Sequence, residues 1–87
     1  MKKVKKAVAL SYEKSYSAPI VTAAGMGYVA EKILKTAEEN KVPVVEDEDL
    51  TELLVNLQVN SAIPGELYEA VASIIAYVMN IDSKLRR

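Results

Sequence analysis

The sequence predicts a small α/β domain, in which a sheet of about three strands is flanked by three helices. Short runs with alternating or β-branched apolar residues are interleaved with longer segments whose apolar residues recur every three or four positions. The chain has 87 residues, which suits one domain with a modest core. With 51% hydrophobic and 26% charged residues, its composition is that of an ordinary folded domain.

The first two predicted strands form a hairpin. Residues 7–12 alternate between larger apolar side chains and small ones, as a strand with one closely packed face does. A short polar connection then leads to Ile20–Thr22, a β-branched run. Pro19 stands at the entrance of this second strand, where a missing N–H costs least. The shortness of the connection favours antiparallel pairing.

A helix and a third strand are predicted next. Gly25 and Gly27 can end the second strand and turn the backbone tightly into a helix. From Met26 to Ala37 the apolar residues have helical spacing. Residues 42–45, Val-Pro-Val-Val, then form another short β-branched run. Strand, helix and strand in this order predict a βαβ unit.

Two further helices are predicted in the second half of the chain. Leu50, Leu53, Leu54 and Leu57 have helical spacing, and Asp49 with Glu52 has the form of a capping box. The last helix, from about Pro64 to Ile81, carries two apolar stripes. The first consists of Leu67, Val71, Ile74 and Val78, and the second of Tyr68, Ala72, Ile75 and Met79. The second stripe is expected either to pack against the residue 50–57 helix or to face a partner.

Composition excludes several kinds of chemistry. The chain has no cysteine and no histidine, so disulfides, thiolate metal sites and histidine bases are excluded. The acidic run from Glu46 to Asp49, with Glu52, is explained by a helix start rather than by a metal or acid/base site. We therefore expect no enzymatic activity, no cofactor and no metal. No apolar run is long enough to span a bilayer and no secretory signal is present, so a cytoplasmic location is expected.

The charges are unevenly distributed although the net charge is −1. Lysines crowd a basic N-terminal segment, residues 1–6, and basic residues crowd a tail, residues 82–87. The folded domain is expected between them, over residues 7–81. Basic ends could contact nucleic acid or an anionic membrane surface, or be frayed and solvated. The tyrosines do not share one strand face, so no nucleic-acid platform is expected.

The Gly25–Gly27 turn has two interpretations. A strand, two glycines and a helix start can bind a phosphate, which favours a small nucleotide- or anion-binding regulatory domain. However, Ala30 stands where a third glycine would complete the dinucleotide-binding pattern, and no Lys-Ser/Thr pair follows. The other interpretation is that the glycines allow close packing of the helix on the strand.

Four short motifs, in this order, resemble the cytoplasmic C-terminal domain of the FlhB/YscU family. They are Ala7-Val8-Ala9-Leu10 with Tyr12, Ser17-Ala18-Pro19-Ile20-Val21 with Gly25-Met26-Gly27, Val42-Pro43-Val44-Val45-Glu46, and Ile63-Pro64-Gly65-Glu66-Leu67-Tyr68-Glu69-Ala70-Val71-Ala72. The family contains export-switch components of flagellar and other type III secretion systems. The resemblance runs from Ala7 to about Val78 and implies a compact α/β domain of that type.

One departure from the family concerns self-cleavage. Family members cut themselves between Asn and Pro of an Asn-Pro-Thr-His motif, and the matching positions here are Lys2, Lys3, Val4 and Lys5. Lysine has no side-chain amide to attack its own carbonyl, and no proline follows it. The resemblance therefore implies a free-standing homologue that does not cleave itself.

The resemblance also implies a non-enzymatic role in protein export. The family presents an apolar groove to short hydrophobic export signals, and the matching positions are Ala18, Pro19, Ala72 and Ile75. The implied partners are export substrates or membrane-embedded proteins of the export apparatus, with a possible location at the export gate. The alternative for these residues is ordinary packing under the sheet edge.

Overall fold

A computed structural model of the chain describes the backbone of residues 4–13, 15 and 18–85, and the side chains of these residues as far as Met79. The elements are β1 (Lys6–Ser11), β2 (Ile20–Met26), α1 (Tyr28–Glu39), α2 (Glu48–Leu54), a short 3-10 helix (Gly65–Leu67) and α3 (Tyr68–Leu85). Three α-helices around a small sheet confirm the predicted α/β class. No helix of this described part is long and apolar enough to cross a membrane.

The two strands form the predicted antiparallel hairpin. Lys6 is paired with Met26 and Ser11 with Ile20, and the register shifts once between Ala9 and Leu10. β2 begins where the sequence predicted, but it continues beyond the β-branched run to Met26. The small residues 23–25 extend the strand because they pair with β1. The strand propensity of these residues, considered alone, does not take such pairing into account.

The outer edge of β2 is covered by the segment that precedes the 3-10 helix. The amide N–H of Val21 donates a hydrogen bond to the carbonyl of Ser61 at 3.1 Å, and Ile63 N–H donates to the carbonyl of Pro19 at 3.1 Å. Asn60 N–H donates to the Val21 carbonyl at 2.6 Å. The backbone groups at the start of β2 are therefore already paired on this side.

The core lies between one face of the sheet and the helices α2 and α3. Its buried residues are Val21, Leu50, Leu54, Ile63 and Val71, with Val8, Leu10, Ala24, Leu57, Leu67, Ile74 and Ile75 packed against them. α1 contacts both strands, and its Ala30 is fully buried. Helices therefore pack on both faces of a small sheet, and α3 brings its first stripe to the core.

The third strand predicted at residues 42–45 is wrong for the described structure, in which the sheet has two strands and no βαβ unit. Val42 N–H donates to the Ala37 carbonyl at 2.8 Å and so completes the end of α1 instead of joining a ladder. Pro43 has no N–H to donate, and Val44 is exposed. The β-branched composition is present, but no described strand lies beside it to supply pairing.

The start of α2 also differs from the prediction. Asp47, not Asp49, is the N-cap, and its side chain accepts a hydrogen bond from Leu50 N–H at 3.1 Å. Its backbone is extended, with φ −151° and ψ 94°, which is the conformation that a capping residue needs. Asp49 lies inside the first turn of the helix. The helix ends at Leu54, so Leu57 contacts the core from the following loop.

The last helix is shifted toward the C-terminus relative to the prediction. Pro64 precedes the short 3-10 helix, α3 begins at Tyr68, and it ends at Leu85 rather than near Ile81. The sequence after Ile81 contains neither glycine nor proline, so nothing local ends the helix there. Part of the predicted basic tail is therefore helical, while Arg86 and Arg87 lie outside the described residues.

Candidate partner-binding groove

A groove of about 270 Å³ lies between α3 and the end of the hairpin at which β1 ends and β2 begins. It is lined by Tyr12, Ala18, Pro19, Tyr68, Ala72, Ile75, Ala76 and Met79. None of these side chains carries a formal charge, so the groove is suited to apolar contact rather than to binding an ion.

All four residues that the resemblance selected line this groove. Ala18 and Pro19 come from the segment before β2, and Ala72 and Ile75 come from α3, more than fifty positions later in the chain. Ala18 is only 4% exposed and forms part of the floor, whereas the Ala72 side chain is exposed. The structure brings these residues together, and their role in binding a partner stays a prediction.

The second stripe of α3 builds one wall of the groove. Tyr68, Ala72, Ile75 and Met79 recur at helical spacing and lie on one face of the helix. Ile75 also packs against the core, while Tyr68 and Met79 remain exposed. Leu50 and Leu54 of α2 share the core cluster with Val71 of the first stripe, and no α2 residue lines this wall. Ala72 is the small residue of this wall, and it leaves a hollow between Tyr68 and the larger side chains of Ile75 and Met79.

Tyr12 and Ala76 are the lining residues that the sequence did not assign to a binding surface. Tyr12 follows β1 directly and its side chain is exposed. The register shift after Ala9 occurs within this end of the strand. Tyr12 and Tyr68 each offer an apolar ring with a hydroxyl group, a combination suited to a wet rim around an apolar site.

The groove offers little main-chain hydrogen bonding to an occupant. The Pro19 carbonyl already accepts from Ile63 N–H, and Val21 is paired with the segment that covers β2. A bound segment therefore cannot extend the sheet at this edge of β2 by strand addition. An occupant would therefore bind through contacts between apolar side chains.

The Gly25–Gly27 turn has a packing explanation in the structure. Gly27 adopts φ 60°, a left-handed conformation that suits glycine, and its N–H donates to the Lys5 carbonyl at 2.7 Å. A Cβ on Gly25 would lie 2.2 Å from Cγ1 of Val29 in α1. The first turn of α1 also carries Glu31, an unfavourable neighbour for an anion. These contacts favour close packing over the anion-binding interpretation.

The remaining predicted features are distributed over the molecule. Of the cleavage-motif positions, Val4 and Lys5 are exposed, while Lys2 and Lys3 lie outside the described residues. The acidic run contains the start of α2, and the part of the chain that the structure describes holds no group of three or more potential metal-ligating side chains. Tyr12 and Tyr68 line the groove, whereas Tyr28 lies on α1, so these rings form no common stacking surface.

A two-stranded hairpin with helices on both faces and an uncharged groove beside its last helix define a small α/β domain. Residues 4–78 match the sequence model of the FlhB HrpN YscU SpaS Family, and the chain belongs to that family. This confirms the resemblance that the ordered motifs indicated. Membership links the chain to a family that includes the flagellar biosynthetic protein FlhB.

The similar proteins include both a short chain and full-length FlhB. YlqH of Bacillus subtilis is 43% identical over 84 residues, with 95% of this chain and 90% of YlqH covered. FlhB of Helicobacter pylori is 35% identical over 82 residues, with 93% of this chain and 23% of FlhB covered. The chain thus spans less than a quarter of that FlhB protein.

Solved structures match over nearly the whole fold. The cytoplasmic domain of FlhB from Shewanella putrefaciens is 31% identical, with a TM-score of 0.86, and the match covers 95% of this chain and 71% of that one. The PscU C-terminal domain is 26% identical, with a TM-score of 0.79 and coverage of 83% and 94%. The matched part of FlhB is cytoplasmic, which is the location that the sequence predicts here.

Proposed function

We propose that this chain is a non-enzymatic component of flagellar or type III protein export, and that its groove binds short apolar segments of export substrates or of export-apparatus proteins. The proposal places the chain in the cytoplasm, at the export gate. It rests on family membership for the pathway and on the groove for the activity.

The single observation that carries the proposal is the convergence of Ala18, Pro19, Ala72 and Ile75 on one uncharged groove. Ordinary packing would have buried the second stripe of α3 beneath another element. Instead Ala72 stays exposed between Tyr68 and Met79, which leaves a hollow of about 270 Å³ with apolar walls. An apolar surface of this kind, at a fixed place in a small domain, is typical of a site for a partner.

The geometry favours weak and reversible binding. The hollow accommodates one or two apolar side chains, each worth about 1.5–3 kcal/mol when fully buried. The cost of association removes part of this gain, so an affinity in the range of about 1 μM to 1 mM is expected. Weak binding through side chains suits a component that receives many different substrates and passes them on.

The proposal is tested by adding the N-terminal peptide of an export substrate to the isotope-labelled chain and mapping the chemical-shift changes. Ala72→Gln should lower the affinity at least about fivefold, because the longer side chain fills the hollow without disturbing the buried core. Ala70→Gln is the matched control, since Ala70 is also exposed on α3 but does not line the groove.

Shift changes that cluster on the groove, with a loss of affinity in Ala72→Gln alone, would support the proposal. Shift changes confined to other surfaces, no changes at all, or an equal loss in Ala70→Gln would contradict it. Both variants keep a helix-forming residue, so their folded spectra can be compared directly.

The proposed function does not include self-cleavage. Lys2 and Lys3 occupy the positions at which the family has Asn and Pro, and lysine lacks the side-chain amide of that reaction. The purified chain should therefore keep its full mass on prolonged incubation. A fragment that begins at Lys3, detected by intact-mass spectrometry, would show that this part of the proposal is wrong.

A further inference from the structure

A second apolar surface lies at the end of the hairpin opposite to the groove. It surrounds the turn from β2 into α1 and is called the apolar tip here: Val4, Met26, Tyr28 and Val29, which are 60%, 52%, 77% and 49% exposed. Four large apolar side chains are thus about half exposed or more within one turn and the chain segment beside it, and such a grouping marks a candidate interaction surface.

Backbone contacts hold the apolar tip in place. Gly27 N–H donates to the Lys5 carbonyl at 2.7 Å and fixes the first described residues beside the turn. Cγ1 of Val4 lies 3.9 Å from the position that a Cβ of Gly27 would take. Val29 packs over Gly25 at the start of α1. The exposed apolar groups are thus presented by ordered backbone.

Lysines surround the apolar tip. Lys5 is exposed beside Val4, and Lys32 and Lys35 share a surface hollow of α1 with Tyr28 and Glu31. In this region Lys5, Lys32 and Lys35 accompany Glu31, while Lys6, the strand partner of Met26, is paired with Glu52 of α2 at 2.7 Å. In the sequence, Lys2 and Lys3 precede Val4 directly and add to the positive charge of this segment. The main acidic run of the chain, residues 46–49, belongs to the start of α2, a helix that contacts β1.

We propose that the apolar tip docks on the surface of an anionic phospholipid bilayer. Apolar and tyrosine side chains at the tip would enter the boundary between headgroups and acyl chains, where tyrosine is favoured. The surrounding lysines would be attracted by the negative surface potential, which falls off within a Debye length. An anionic bilayer favours the binding of protein surfaces that combine positive charge with exposed apolar groups. This surface is separate from the groove and does not depend on what the groove binds.

The test is sedimentation of the full chain with vesicles of equal parts phosphatidylglycerol and phosphatidylcholine, and with vesicles of phosphatidylcholine alone. Binding to the anionic vesicles is expected, with a decrease as salt is raised. Lys32→Glu and Lys35→Glu should each lower the apparent partition constant about fivefold or more, because each removes a lysine near the surface. Lys41→Glu is the matched charge control, since Lys41 follows the opposite end of α1.

The apolar part is tested separately. Tyr28→Ser should lower binding, whereas Leu53→Ser, which removes another exposed apolar side chain, from α2, should leave it unchanged. Because the chain contains no tryptophan, Tyr28→Trp provides a single fluorescent reporter whose emission should shift to shorter wavelength on the anionic vesicles.

Failure of the wild-type chain to bind anionic vesicles, or equal binding to neutral vesicles, would overturn the proposal. It would also be overturned if Lys41→Glu or Leu53→Ser lost as much binding as the tip variants. An acidic protein as the true partner would show itself by the first of these outcomes. All substituted residues are exposed, so circular dichroism can verify that each variant is folded.

Discussion

Gly25 lies beneath the first turn of α1, at a position where the fold leaves no room for a side chain. A Cβ built there would be 2.2 Å from Cγ1 and 2.7 Å from Cβ of Val29. Its backbone does not adopt a positive φ, unlike that of Gly27, so the restriction is steric and not conformational. The close approach of helix to strand depends on this one missing side chain.

We therefore expect Gly25→Ala to lower the free energy of unfolding by about 1–3 kcal/mol, the usual cost of overpacking. Val29→Ala in the same chain should restore only part of the loss, because it removes Cγ1 but leaves the Val29 Cβ that would lie 2.7 Å from the new methyl group. Urea denaturation of the single and double variants measures the coupling between the two positions.

Val29→Ala alone is the control for this pair. Val29 is about half exposed, and alanine is the better helix former, so the single variant should change stability by only a few tenths of a kcal/mol. Equal stability of Gly25→Ala and the wild-type chain would mean that the packing explanation of Gly25 is wrong. The same result would reopen the anion-binding interpretation of the turn.

At the scale of elements, α2 illustrates how a cap and a core contact together hold a short helix. Seven residues are too few for an independent helix in water, so α2 depends on its ends and on its buried face. Leu50 and Leu54 supply the buried face, and Asp47 caps the N-terminus. Lys6, near the start of β1, adds an ion pair to Glu52 at 2.7 Å.

Asp47→Ala should lower the free energy of unfolding by about 1 kcal/mol, because the Leu50 N–H loses its side-chain acceptor. Asp49→Ala should cost less, a few tenths of a kcal/mol, since this residue contributes only a favourable charge in the first turn. Thermal or urea denaturation of the two variants gives the comparison. The opposite order would indicate that the helix begins where the sequence spacing suggested, at Asp49.

Prediction from the sequence failed most clearly at residues 42–45 and at Asp47. β-branched composition predicted a strand at the valines, but a strand needs a neighbour, and no local pattern shows whether one is present. The spacing of Asp49 and Glu52 fitted a capping box, yet Asp47 has the extended backbone that the N-cap position requires. Both errors concern features that depend on the path of the chain in three dimensions.

Part of the groove could be predicted from the sequence, by two separate arguments. Helical spacing alone showed that α3 has a second stripe, and the resemblance alone selected Ala18 and Pro19 as its counterpart. Neither argument included Tyr12, which the alternation of residues 7–12 placed only on the same strand face as Val8 and Leu10. A register shift within β1 cannot be read from a single strand, so this wall of the groove is visible only in the structure.

At the scale of the whole molecule, the hairpin separates the two exposed apolar surfaces. Tyr12 and Ala18 lie at one end of the strands, and Val4 and Met26 lie at the other. Strands of six and seven residues extend about 20 Å, well beyond direct contact between side chains. The molecule therefore has room to hold a bilayer surface at one end and a peptide at the other.

Independent action of the two surfaces follows from this distance. Sites more than about 10 Å apart that share no partners usually contribute additively, so groove affinity for a substrate peptide should agree within about twofold with and without anionic vesicles. Fluorescence anisotropy of a labelled peptide measures this at saturating vesicle concentration. Lys35→Glu should leave peptide affinity unchanged, and Ala72→Gln should leave vesicle binding unchanged.

Because coupling between two ligands is reciprocal, an effect of vesicles on peptide affinity must appear equally as an effect of peptide on vesicle binding. If peptide and vesicles each changed the affinity for the other by more than about fivefold, the hairpin would transmit a conformational change. The two surfaces would then be allosterically coupled.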